Sequence, residues 1–108
     1  MEITRSTAHD SWTVLLVRGR LDHEAVPQLE EAFRGALAPP ARDLALDLSE
    51  VTFLASAGLR AILATAREIG PLNVRLAIVG ARSPVREVLE LSGMGRFLPQ
   101  VPTLDALR

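Results

Sequence analysis

At 108 residues the chain has room for one two-layer core and not for a second, so residues 1–108 read as a single domain. Its 48% hydrophobic and 23% charged residues suit a globular fold, and a net charge of −1 excludes a global electrostatic case for binding nucleic acid or an anionic membrane. The absence of cysteine excludes disulfides and thiolate metal ligands. The opening Met1-Glu2-Ile3-Thr4-Arg5 lacks the apolar core of a signal peptide, and no apolar run approaches about 18 residues. A cytoplasmic protein is the expectation.

In chain order, Ile3 to Thr7 and Trp12 to Arg18 read as two strands joined by the polar turn Ala8-His9-Asp10-Ser11, an opening hairpin. Gly19 and Asp22 then punctuate the chain before a helix over residues 24 to 37, with Val26, Leu29, Phe33, Ala36 and Leu37 on one face. Pro27 falls in its first turn, where a missing amide hydrogen costs little. Pro39-Pro40 ends that helix, and Leu44, Leu46 and Leu48 alternate with Ala45 and Asp47 in the two-residue period of a strand. Leu59, Ile62, Leu63, Ala66 and Ile69 then recur at helical spacing until Gly70-Pro71. Val74, Leu76 and Ile78 form another alternating strand closed by Gly80. Ser83-Pro84 opens a helix that buries Val85, Val88 and Leu89, and Ser92-Gly93-Met94-Gly95 ends it. A last short helix begins at Thr103 and packs Leu104 and Leu107. Strands alternating with helices predict an α/β domain with a mixed sheet of four to five strands and about four helices, mainly on one face because each strand has one richer apolar side.

Ser56 is the residue on which function turns, because it stands where a strand ends and a helix begins. From position alone it reads as a helix N-cap. Ala55 and Ala57 flank it with methyl groups only, and Gly58 leaves the first turn without bulk, so a macromolecule could reach the hydroxyl. Ala57, Ala61 and Ala64 read as a strip away from the core stripe, with Arg60 and Arg67 beside it as guanidinium donors for a partner.

Asp47-Leu48-Ser49, Val51, Phe53, then Ser56-Ala57-Gly58-Leu59 and Leu63 resemble the signature of STAS domains, specifically the bacterial anti-sigma factor antagonists. Gly19-Arg20-Leu21-Asp22 after an apolar strand is similar to their second motif, and with the element order the resemblance spans nearly the whole chain. It implies that an anti-sigma factor, an ATP-using serine kinase, phosphorylates Ser56. It further implies that the unphosphorylated form binds this kinase to free a sigma factor, and that a PP2C-type phosphatase restores the cycle. Partner contacts are expected at Asp22, Ala55, Ala57, Gly58, Arg60 and Ala61, with the loop Leu21-Asp22-His23 in the docking surface. Asp22 reads equally as a helix cap. In one departure, Ala55 stands where the family commonly has Asp, which removes an orienting carboxylate and a negative charge beside the serine. A constitutive STAS scaffold or accessory subunit, in a signalling assembly or in lipid transport, is the alternative that Ala55 favours.

Strand, sharp turn, serine and helix also describe a nucleophile elbow, but Leu54 fills its first glycine position. His9 and His23, the only candidate bases, fall in surface segments early in the chain. No catalytic residue is assigned. Two isolated histidines make no metal-ligand spacing, and Gly93-Met94-Gly95 is an incomplete dinucleotide fingerprint, so no cofactor or metal is expected.

Overall fold

The computed structural model describes residues 1–9, 11–96 and 98–107. The opening hairpin pairs β1 (Glu2–Ala8) antiparallel with β2 (Trp12–Leu21), Glu2 opposite Arg18 and Ala8 opposite Trp12. Asp10, in the turn expected between them, lies outside the described residues. Every later crossover returns the chain parallel, so β3 (Asp43–Leu54), β4 (Leu76–Val79) and β5 (Gln100–Val101) follow in the spatial order β1-β2-β3-β4-β5. Among the described residues the α-helices are α1 (Val26–Ala36), α2 (Ser56–Glu68) and α3 (Val85–Leu91). The fourth expected helix is a single 3-10 turn, Leu104–Ala106.

Strand alternation explains the two layers. Leu15 and Val17 of β2, Leu44, Leu46 and Leu48 of β3, and Leu76 and Ile78 of β4 share one sheet face. They pack with Leu29 and Phe33 of α1, Ile62 of α2, and Val85 and Leu89 of α3 in the main core. The intervening residues, Trp12, Val14, Ala45, Ala77 and Val79, line the opposite face and carry the smaller cluster, which Leu107 caps. The C-terminal segment thus covers the side that the helices leave bare. His9 Nε2 donates to the Leu104 carbonyl at 2.9 Å and ties this segment to the β1–β2 connection.

Two strand assignments need correction. The third strand does not end near Leu48 but runs to Leu54, because β2 continues beside it through two register shifts, between Leu16 and Arg18 and between Gly19 and Arg20. Gly19 makes this possible: it takes φ +98, a conformation that costs an L side chain steric energy, and it bends the bulged ladder. The last two-residue strand, Gln100–Val101, has no visible alternation because it is too short to show a period. Val74 precedes β4 and is not part of it.

Candidate functional site

The site follows from the parallel register of β2 and β3. Leu21 and Leu54 are paired at the strand ends, so the residues that follow each of them emerge side by side on one rim of the sheet. Asp22 leaves β2 there and Ala55-Ser56 leaves β3. The two exits are joined directly, for Ala55 N donates to the Leu21 carbonyl at 3.0 Å. Asp22 caps the following turn, with Oδ1 accepting from Ala25 N at 3.2 Å, and its Oδ2 stands 3.9 Å from Arg20 Nε. Both sequence readings of Asp22 are therefore compatible with its position: it caps a turn and it lies on the rim.

Ser56 is the first residue of α2, not its N-cap. Ala55 holds the N-cap position in extended conformation, φ −87 and ψ 164, and among the described residues no side chain caps the helix. The reason is local: the strand pairing holds Ala55 extended through the hydrogen bond its N–H donates to the Leu21 carbonyl, so the helix can begin only at the next residue. Ser56 is exposed, and its hydroxyl makes no hydrogen bond among the described residues. No acidic residue stands in the first turn of α2, which leaves its positive N-terminal end uncompensated.

The neighbours divide into surface and support. Ala55 and Ala57 are half-buried, and Arg60 is exposed one turn along from Ser56. Gly58 is buried: a Cβ there would lie 2.8 Å from the Leu21 carbonyl oxygen and 2.9 Å from Leu21 Cγ. Its role is close approach of α2 to the β2 exit rather than clearance around the hydroxyl. Ala61 also departs from the sequence reading. It is buried at 7% exposure within the main core, because α1 packs over that side of α2, whereas Ala64 remains exposed. The alanine strip is therefore the floor and wall of a groove between the two helices, with hollows of ≈ 400 and ≈ 410 Å³ along it. Ala57, Arg60, Ala61 and Ala64 line the hollow at the Ser56 end, facing His23 and Glu30.

Phe53 is a neighbour that sequence pattern missed as a surface group. At 37% exposure it is one of the few exposed large hydrophobic residues among those described, and the Arg20 guanidinium lies over its ring at 4.2 Å from the centroid. The extension of β3 past Leu48 puts it on the rim. Among the described residues no group of three or more His, Asp or Glu side chains could hold a metal ion, and no helix is long and apolar enough to cross a membrane.

With this geometry in view, residues 4–101 match the family model described as Mlab, STAS domain. The chain belongs to the STAS domain family. Among the relatives of this STAS domain is the anti-sigma-F factor antagonist RsfB of Mycobacterium tuberculosis, 35% identical over 100 residues that cover 92% of this chain and 81% of that one. A solved anti-sigma factor antagonist from Mycobacterium paratuberculosis is 36% identical, superposes with a TM-score of 0.82, and is matched over 96% of this chain and 89% of its own. The anti-sigma factor antagonist SpoIIAA in its unphosphorylated form superposes at a TM-score of 0.77 with 21% identity, over 92% of this chain and 87% of that one, a likeness of fold alone. The α/β architecture with a five-stranded mixed sheet is thus that of the family.

Proposed function

We propose that this STAS domain is an anti-sigma factor antagonist that binds an anti-sigma serine kinase through the rim around Ser56 and is switched off by phosphorylation of that serine. The observation that carries the reading is an exposed hydroxyl at the head of α2, unbonded among the described residues, in a chain at least 35% identical to proteins named as such antagonists. SpoIIAA, whose fold this chain shares, has been solved in a phosphorylated form as well as an unphosphorylated one.

Two opposed effects make Ser56 suited to the role. Within the domain, a phosphate at the first position of a helix meets free amide hydrogens and the positive end of the dipole, so the fold tolerates it. At a docked surface, nearly two added negative charges must be desolvated against the partner, and the complex is lost. In this reading Asp22, Ala55, Ala57 and Arg60 form the contact rim, while Gly58 and Ala61 support it from below. The domain is a kinase substrate and not an enzyme, acts in the cytoplasm, and is restored by a PP2C-type phosphatase.

Ala55 favours a second reading, a constitutive scaffold, because the helix head lacks a capping carboxylate that would orient the hydroxyl. The two are separated by a pull-down from host lysate with wild-type and Ser56→Asp baits, each first checked for thermal stability. An ATP-binding anti-sigma kinase held by wild type and lost from an equally stable Ser56→Asp supports the switch. Retention of the same partners by both baits supports the scaffold.

A further inference from the structure

Resting on the reading of Ser56 as a phosphoacceptor, we propose that Arg60 is its built-in phosphate clamp: phosphorylation draws the Arg60 guanidinium from the docking rim onto the phosphate. The two residues are four apart on α2, which puts their Cβ atoms about 5–6 Å apart on adjacent turns, within reach of a long side chain. Both are exposed, and Arg60 forms no ion pair among the described residues. Of the other arginines, Arg20 is already engaged and Arg67 is too far. Arg20 is stacked on Phe53 and stands beside Asp22, and Arg67 lies in the last turn of α2.

The charges facing Arg60 make the capture selective for a phosphorylated serine. Across the groove on α1 stands Glu30, and at the start of the groove is His23, yet among the described residues neither Glu30 nor Asp22 forms an ion pair with Arg60. A phosphate dianion one turn away offers more charge and three acceptor oxygens, and a guanidinium can donate to two of them at once. Ala55 adds no carboxylate to compete for the same guanidinium. Phosphorylation then acts twice on the rim. It adds negative charge, and it withdraws the exposed donor that an acidic group on the partner would otherwise meet.

The test uses the full chain with phosphoserine installed at position 56, in wild type, Arg60→Gln and Arg60→Lys, and follows the phosphorus resonance against pH. The clamp lowers the second ionisation of the phosphate by on the order of half a pH unit relative to Arg60→Gln. Arg60→Lys, which keeps the charge but loses the planar fork, gives an intermediate value. Identical ionisation in wild type and Arg60→Gln overturns the clamp. This readout needs no partner, so it fails or succeeds separately from the phosphoswitch: a cell in which Ser56 is never phosphorylated removes the switch without altering the titration.

Discussion

At the scale of single residues, the site depends on what two small side chains omit. Gly58 lets α2 approach the β2 exit so closely that even a methyl group at position 58 would overlap the Leu21 carbonyl at 2.8 Å and crowd Leu54 Cδ1 at 3.1 Å. Since the carbonyl is held by Ala55 N, it cannot swing away without breaking that bond. Gly58→Ala is therefore expected to lower stability by about 1–3 kcal/mol, despite the better helix propensity of alanine, as read from urea denaturation. An unchanged midpoint would show that α2 can slide. Ala55 presents the converse case. It occupies an N-cap position in the extended conformation that a capping side chain requires, but its methyl group cannot accept a hydrogen bond. Ala55→Asp is expected to stabilise the domain by about 0.5–2 kcal/mol by satisfying an orphan amide of the first turn. The same denaturation measurement checks it, and a loss of stability would count against an open N-cap at Ala55.

At the scale of elements, the lower end of the sheet is held by a polar clasp that the alternation pattern does not reveal. Asp43 opens β3 and accepts from Arg75 in three places: backbone N at 2.8 Å, Nε at 3.0 Å and Nη2 at 2.7 Å. The Arg75 guanidinium also lies 4.7 Å from the Trp12 ring centroid, so one clasp links the starts of β2, β3 and β4. Burial alone would raise the Asp43 pKa, but the hydrogen bonds and positive charge of Arg75 outweigh it and hold the carboxyl below its ordinary value. A carboxyl with a lowered folded-state pKa contributes stability that is complete above its unfolded value, near 4, and is lost as pH falls through the folded one. Asp43→Asn is thus expected to cost about 1 kcal/mol at neutral pH, with the difference from wild type shrinking below about pH 4 in thermal melts. A difference independent of pH would place the effect in the amide substitution itself. The contrast with the core is instructive. Leu44, Leu46, Leu48, Leu76 and Ile78 announce their strands by period, and Leu29, Phe33 and Ile62 announce helix faces, because burial on one side imposes periodicity. The second half of β3 does not, since Gly19 and the register shifts break the alternation there. Ala61 shows the related failure: an alanine can be surface or interface, and only the packing of α1 on α2 decides.

At the scale of the molecule, the clasp and the Ser56 rim lie at opposite ends of the same strand. β3 begins at Asp43 and ends at Leu54, one residue before the N-cap of α2. At about 3.3 Å per residue, its eleven steps separate the two ends by on the order of 30 Å, somewhat less after bulging and twist. Between them lies the densest part of the core, with Leu44, Leu46 and Leu48 all fully buried. The clasp acts on strand starts and on the face capped by Leu107, whereas Ser56 stands on the opposite rim with its hydroxyl bonded to nothing among the described residues. A charge introduced at Ser56 therefore has no shared partner through which to reach Asp43 or Arg75. The stability changes of Ser56→Asp and Arg75→Ala should add in the double variant to within about 0.5 kcal/mol, while neither Arg75→Ala nor Asp43→Asn should alter partner retention by the wild-type Ser56 rim. Denaturation of the two single variants and the double variant measures the sum directly. A larger coupling would mean that β3 transmits strain along its length, so that a charge at Ser56 is felt at the far end of the sheet; additivity confines the effect of that charge to its own rim.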